Sequence, residues 1–533
     1  MPDSRPNVLF LMSDEHSYRY LGCRGSDAGG EPVDTPRLDS LAENGTSFEQ
    51  TYAPVALCTP SRICTLTGRE APNCGAWGNR AVLKSDSGTM PAAFSAAGYE
   101  TCLVGKMHLG GDRQFAGFDH RPYGDLTGIH GHQADPPASP HRGNLLRPDV
   151  TRGQYTRKRT ADAGVTGIPE SLLQESSVLR ESVAWLREHA AASGDPWFLC
   201  ASFSRPHFPL TAPRRYVARY WDLEADAPTD RLTEPPVGPG GDASNHPMTE
   251  GMIEGFRTDE IDHEDTMRAR AAYFACVEYL DELLDDMLLM LEADGFLENT
   301  IVVYCSDHGE LAGEHGLWWK HSWHEAATRV PFFIETPGHR AGESEPADVD
   351  TPVSLTDLFP TLAGLAGVDT PQEVDGVDLS AAVETGAEPD RRPVVSDNLV
   401  GRWGDGTEFR MVRGGDYKYV HFRDAPPLLF DLAEDPVETE NLAGDATGAD
   451  REALEELRAF AEGTVDFDAV EREMNAYEQG FPRIPEERQL SIPKGTGNAY
   501  HLPDGRIIDA DAVLYHPHVL TDRPETAFDD YPE

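Results

Sequence analysis

Residues 56–69 read ALCTPSRICTLTGR, with Cys58 two residues before Pro60 and four before Arg62, and Cys64 in the same run. A thiol so close to a guanidinium could be a nucleophile, a metal ligand, a disulfide partner or packing. Other short stretches carry groups of complementary chemistry. Asp14 and Glu15 follow NVLFLMS, Lys106 and His108 lie in GKMH, His207 in SRPHFP, Asp307 and His308 in SDHG, and Lys320 in GLWWKHSW. Three carboxylates suit a hard divalent cation such as Ca²⁺ or Mg²⁺, and the imidazole leaves Mn²⁺ or Zn²⁺ open. Arg62, Lys106, His108, His207 and Lys320 are cationic or can become so. A metal ringed by such groups is what binding and cleaving an oxyanion ester requires.

These groups need a scaffold that brings them together. The apolar runs Val8–Met12, Thr101–Val104, Trp197–Phe203, Thr300–Cys305 and Val330–Ile334 read as strands. Between them, Arg37–Asn44, Ser176–His189 and Asp265–Asp294 have apolar residues three to four apart, and Gly295 supplies a stop for the last. Strands alternating with helices predict an α/β fold with a mostly parallel central sheet flanked by helices. In such sheets ligands bind at the carboxyl ends of the strands. Four of the runs end directly in the polar groups named above. Taken singly, an Asp there caps a helix, a His in RPHFP packs, and GK makes a turn; together on four alternating strands they predict one crevice.

The chain divides by texture into residues 1–389, an α/β catalytic domain; 390–460, a small antiparallel-sheet subdomain built on EFRMVRGGDYKYVHF and PLLFDL; and 461–533, a polar tail. Gly124–Thr166 and Asp226–Glu264, rich in Pro and Gly, are expected to be long surface loops.

The 533 residues carry 92 acidic and 45 basic side chains, a formal charge of −47. Such a chain repels nucleic-acid phosphates and anionic membrane surfaces, so neither is an expected partner. Lysine is scarce: Lys84, Lys106, Lys158, Lys320, Lys418 and Lys494 are all of them. An acid-rich, lysine-poor surface suits high salt, and a salt-loving source is expected. No basic leader precedes a long apolar run, no stretch nears the roughly eighteen apolar residues of a membrane span, and the eight cysteines are unpatterned. The expectation is a cytoplasmic protein with reduced thiols.

CTPSRICTLTGR resembles the sulfatase signature, C-x-P-S-R with a T-G-R ending. PNVLFLMSDEH…LGC, GKMHLG, SFSRPHFPL, SDHGELAGEHGLWWKHSWHEAATRVPF and LLFDLAEDPVETENLA resemble further blocks of that family, in the same order, over roughly residues 5–445. Glu15 stands where many sulfatases have Asp, and His308 where many have Asn. These departures, and Asn79 in GAWGNRAV, resemble choline-sulfatase-like enzymes and phosphonate monoester hydrolases.

The resemblance implies an alkaline phosphatase-like fold and conversion of Cys58 to Cα-formylglycine by a maturation enzyme that reads C-x-P-x-R. It implies one divalent metal, Ca²⁺ foremost with Mg²⁺ or Mn²⁺ as alternatives, bound by Asp14, Asp307, His308 and residue 58, with Glu15 as a further ligand. The aldehyde hydrate would attack a small-molecule sulfate ester, and its second hydroxyl would lose its proton to expel sulfate. Arg62 and Lys106 would orient the hydrate, His108 take the proton during release, His207 and Lys320 hold sulfate oxygens and assist the leaving group, and Asn79 donate to the oxyanion. A phosphonate monoester or phosphodiester hydrolase with the same nucleophile is the alternative, and a non-catalytic sulfatase-like binding protein a further one. The tail could reach a neighbouring subunit in a homo-oligomer. The organic half of the substrate is not legible.

Overall fold

The computed structural model describes residues 5–25, 29–79, 81–109, 113–123, 160–167, 169–190, 194–370, 373–390, 392–480, 499–501 and 507–509. Most of the expected loop 124–166 and most of the expected tail lie outside these residues.

Eight strands form the central sheet: β1 (Asn7–Asp14), β2 (Thr46–Phe48), β3 (Glu100–Gly105), β4 (His120–Tyr123), β5 (Trp197–Pro206), β6 (Thr300–Ser306), β7 (Phe332–Glu335) and β8 (Ala347–Val349). Their order is β8-β2-β7-β6-β1-β5-β3-β4. The run β6-β1-β5-β3-β4 is parallel throughout, and β8 is parallel to β2. Only β7 pairs antiparallel to its two neighbours. The run expected at Val330–Ile334 is broken at Pro331, which has no N–H for a ladder, so β7 begins at Phe332.

β1 is the central strand, and its side chains explain its place. Leu9 and Leu11 enter one core while Val8, Phe10 and Met12 enter the other. Both sheet faces are therefore covered, and the strand reads as a continuous apolar run rather than an alternating one. Helices cover the faces: α1 (Pro36–Asn44), α2 (Cys58–Thr67), α3 (Gln174–Trp185), α4 (His263–Ala293) and α5 (Leu358–Ala366). α4 starts where the Asp262 side chain accepts from Asp265 N (2.8 Å) and ends before Gly295, which sits at φ 78°. Among the described residues no helix is long and apolar enough to cross a membrane.

A second, antiparallel sheet runs β9 (Val394–Asn398), β10 (Phe409–Gly414), β11 (Tyr417–Phe422), β12 (Leu428–Asp431). One face packs Val395, Val412, Tyr419 and Leu429 against Leu457 and Ala461 of α6 (Gly448–Thr464). The other face, with Phe409, Met411, Val420 and Phe422, joins the core that also contains Trp323 and Trp403. The 460/461 boundary drawn from texture falls inside α6. A further helix, α7 (Phe467–Gly480), follows where an irregular tail was expected, because Phe467, Val470 and Met474 recur at helical spacing and pack on the main core. The expected loop 226–264 likewise contains a helix, Pro247–Phe256. Its Met248, Met252 and Phe256 lie four apart and are buried, and Gly251 lets its backbone close onto Trp403.

Candidate active site

Strand register does the first part of the assembly. Ser13 lies beside Ser306, Asp14 beside Pro206, and Gly105 beside Ser202. The residues that follow each strand therefore emerge at one edge, as the polar endings predicted. Cys58 is the first residue of α2, all ten of whose residues are buried. Pro60 sits in the first helical turn, where its missing N–H has no partner to lose.

Asp14, Arg62, Lys106, Asp307 and His308 are each 0% exposed. Arg62, one turn along from Cys58, bonds Asp14 Oδ2 through Nη2 (2.7 Å) and Asp307 Oδ2 through Nε (2.7 Å). Its Nη1 donates to the Lys106 carbonyl (2.8 Å) and Ser202 Oγ (3.0 Å). Lys106 Nζ lies 2.7 Å from Asp14 Oδ2 and 4.0 Å from Cys58 Sγ. Both Oδ2 atoms are thus taken by cations, and both Oδ1 atoms face a common point. Cys58 Sγ is 3.7 Å from Asp14 Oδ1 and 3.2 Å from His308 Nε2; that nitrogen is 4.0 Å from Asp14 Oδ1 and 3.6 Å from Asp307 Oδ1. His308 Nδ1 donates to the Gly309 carbonyl (3.0 Å), which turns Nε2 and its lone pair inward.

These four donor atoms, all within 4.8 Å of one another, fit a metal ion. Ligand atoms about 2.0–2.4 Å from a common cation are separated by roughly 3–4 Å, the range of the four distances just given. The electrostatics differ between the two aspartates: burial raises the Asp14 pKa, but Lys106 and Arg62 hold it well below the usual range, whereas burial raises that of Asp307 to about 6. Burial and Asp14 raise the Cys58 thiol pKa, yet Lys106, Lys320 and His308 outweigh them and hold it low.

Glu15 sits beside this four-donor group, with a carboxylate oxygen within 4.8 Å of ligand atoms of Asp14 and His207. Its side chain pairs with Lys320 Nζ (2.7 Å) and lies 3.3 Å from His207 Nε2, while its backbone N–H donates to Asp307 Oδ1 (3.2 Å). At φ 70° Glu15 holds a left-handed backbone, and Asp14, Glu15 and His207 form a second group whose ligand atoms, all within 4.8 Å of one another, could hold a metal. Arg62, for which the resemblance implied a role in orienting residue 58, clamps the two aspartates beside that residue.

Lys320 is buried rather than solvated, paired with Glu15 and set 5.1 Å over the Phe208 ring. His207 hydrogen-bonds the Phe208 carbonyl through Nδ1 (2.7 Å); burial first, then Lys106 and Lys320, depresses its pKa, so the ring is neutral. Asn79 Oδ1 accepts from Thr59 N at the start of α2 (3.2 Å), and the His108 carbonyl accepts from Thr59 Oγ1 (2.8 Å). The eight cysteines are free thiols, so no Cys58–Cys64 bridge exists; Cys64 instead packs 3.7 Å from Cys74. Trp77, Trp318, Trp319, Trp323 and Trp403 are all buried packing residues.

Sequence reasoning missed Glu310, Ser202 and Tyr273. Glu310 is fully buried, accepts from Ala312 N (2.8 Å) and Trp319 N (2.6 Å), and with burial helps raise the Glu15 pKa. It lies two residues past His308 in a block already singled out, which is the signal that could have found it. Tyr273, donating to the Glu15 carbonyl (2.5 Å), comes from the middle of α4, where nothing local marks it.

Comparisons with known proteins agree on one group. A family profile described as Sulfatase matches residues 6–368, and one described as N-sulphoglucosamine sulphohydrolase, C-terminal, matches 313–459. The chain is 30% identical over 503 residues to a choline-sulfatase of Rhizobium meliloti, covering 89% of this chain and 90% of that one. It is 29% identical over 459 residues to an arylsulfatase of Clostridium perfringens, covering 82% and 90%. The crystal structure of a phosphonate monoester hydrolase of Agrobacterium radiobacter superposes with a TM-score of 0.64 at 22% identity, covering 95% of this chain and 99% of that one.

Proposed function

The chain belongs to the sulfatase family of sulfuric ester hydrolases, and from that premise we propose that it cleaves a sulfate monoester to an alcohol and inorganic sulfate, with residue 58 as formylglycine beside one divalent metal. The observation that carries this is the convergence of Asp14 Oδ1, Asp307 Oδ1 and His308 Nε2 on residue 58, inside a shell of buried cations.

Asp14, Asp307, His308 and residue 58 would hold the metal. Bound there, the ion supplies a Lewis acid that acidifies a hydroxyl at residue 58 and offsets sulfate charge. Arg62 and Lys106 occupy the outer oxygens of the ligating carboxylates and so fix which oxygens face inward. Lys106 also sits close enough to residue 58 to stabilise negative charge on it. His207 Nδ1 is committed to the Phe208 carbonyl, so the neutral ring offers a lone pair at Nε2 rather than a proton. Lys320 is then the group in our reading that supplies the proton to the leaving oxygen, with Glu15 holding it in place. Asn79 and His108 keep the start of α2 in position through Thr59, besides the amide and imidazole roles that the family resemblance implies for them.

Asp14 and Asp307 each have one oxygen to offer, and Glu15 is paired with Lys320. That is a small set for Ca²⁺, which takes six to eight oxygens, so our reading puts Mn²⁺ or Mg²⁺ ahead of the calcium first expected. The pairing of Glu15 with Lys320 also favours a second reading: a carboxylate neutralised by a cation lowers the site's negative charge, and such a site tolerates phosphonate monoesters and phosphodiesters.

The test is protein produced together with a formylglycine-generating enzyme and assayed on matched aryl sulfate, aryl phosphodiester and aryl phosphonate monoester. The highest kcat/KM is expected on the sulfate. A clear preference for phosphorus esters would replace the first reading with the second, and no turnover of any ester would leave the binding-protein alternative.

A further inference from the structure

We propose that the chemical state of residue 58 selects the metal, so that the chain with an unconverted Cys58 thiol is a closed, inert Zn²⁺ site formed by Cys58 Sγ, His308 Nε2, Asp14 Oδ1 and Asp307 Oδ1. This rests on the reading of those residues as the metal site and goes beyond it in assigning a second metal chemistry to the precursor.

The donor set is the first argument. One sulfur, one imidazole nitrogen and two carboxylate oxygens form a borderline-soft set of the kind Zn²⁺ takes, and thiolate favours Zn²⁺ over Mn²⁺, Mg²⁺ or Ca²⁺. Geometry is the second. A tetrahedral zinc site with bonds of about 2.0–2.3 Å has edges of roughly 3.3–3.8 Å. Four of the six separations among these atoms, 3.2, 3.6, 3.7 and 4.0 Å, bracket that range before any ion draws them in, and the other two are within 4.8 Å.

The third argument is closure. The Oδ2 atoms are held by Arg62 and Lys106, so neither aspartate can chelate through both oxygens, and Glu15 is drawn through Oε2 to Lys320. Four protein ligands with no open position make a structural rather than a catalytic zinc site. Hydrogen bonds behind the ligands complete it: His308 Nδ1 to the Gly309 carbonyl, and Arg62 across both carboxylates. Conversion of the thiol to an oxygen function removes the one soft ligand, leaving an oxygen-rich set with a single imidazole that suits Mn²⁺ or Mg²⁺.

The test uses the full chain from a host without the maturation enzyme, with the thiol at position 58 verified by peptide mass, and Co²⁺ as a spectroscopic stand-in for Zn²⁺. One equivalent of Co²⁺ is expected to give intense tetrahedral visible bands and a thiolate-to-cobalt charge-transfer band, both erased by one equivalent of Zn²⁺. Cys64→Ala and Cys74→Ala should each retain both features, excluding those two thiols as their source. Cys58→Ser and the converted protein should lose them, with zinc affinity lower by roughly 100-fold or more. Weak six-coordinate bands without charge transfer in the thiol form, or equal zinc affinity in the thiol and serine forms, would overturn the proposal. Turnover of aryl sulfate by the converted protein is read separately. If it holds while the cobalt spectrum fails, only this inference falls.

Discussion

The interior around Cys58 and the outer surface of this protein handle charge in opposite ways. Inside, Asp14, Asp307 and Glu15 each lie against a cation from another element: Arg62, Lys106 or Lys320. Outside, carboxylates prevail, since the chain holds 92 acidic side chains against 45 basic ones. The lysines show the division best. Of the four within the described residues, Lys106, Lys320 and Lys418 are buried in ion pairs and Lys84 is half-buried, so none is left on the exposed surface described. Interior charge is positioned in a medium that salt does not reach, whereas surface charge is mutual repulsion that salt relieves.

The sharpest way to break this contrast is to remove one interior cation. Arg62→Met should abolish ester hydrolysis and lower unfolding stability by about 3–5 kcal/mol, because it strands two buried carboxylates. Arg458→Ala, which removes an exposed i,i+4 pair with Glu462, should leave the urea midpoint and the rate unchanged. Equal effects of the two substitutions would erase the distinction. Lys418→Met tests whether the rule extends beyond catalysis. Its Nζ bridges Glu325 (2.8 Å) and Glu438 (2.6 Å) where the second sheet meets the segment carrying Lys320. A loss of about 3–5 kcal/mol is expected there too, read by denaturant unfolding.

Salt should act mainly on the outer region. Raising NaCl from low to molar concentration should increase the thermal midpoint of the intact protein while leaving kcat of the converted enzyme little changed. A stability maximum at low ionic strength would contradict the surface half of the comparison. The smallest expected effect comes from a buried acid without a cation. Asp281 of α4 accepts from the backbone N–H groups of Arg37 (3.1 Å) and Leu38 (2.8 Å), and burial raises its pKa from the ordinary 3.8 to about 7. Between those values the folded state binds more protons than the unfolded state, so its contribution to stability falls as pH rises from about 4 to about 7. Asp281→Asn should flatten that part of the stability profile, and an unchanged profile would show that Asp281 is ionised throughout.

The sequence was most informative where chemistry and chain geometry coincide. Four apolar runs with polar endings predicted four parallel strands and one crevice, because parallel strands in an α/β sheet share an edge and their continuations meet there. Orientation at single residues was not legible. Glu15 follows Asp14 directly and is chemically able to ligate, but a backbone turn at φ 70° sends it to Lys320. Arg62 was assigned to residue 58 by the family resemblance alone. Its length instead carries the guanidinium beneath to both aspartates. Pro247–Phe256 and Phe467–Gly480 were hidden by composition: acidic, Gly- and Pro-bearing text masked an apolar residue every three or four positions.

The central claim is that residue 58, as formylglycine, is the group through which sulfate esters are cleaved. The direct measurement is the mass of the tryptic peptide ending at Arg62, taken alongside aryl sulfate turnover, across preparations made with increasing amounts of the maturation enzyme. The account predicts that the peptide exchanges its thiol for an aldehyde and that turnover rises in proportion to the converted fraction, with none from the thiol form. Turnover independent of conversion, or a fully converted protein inert toward sulfate esters, would contradict it.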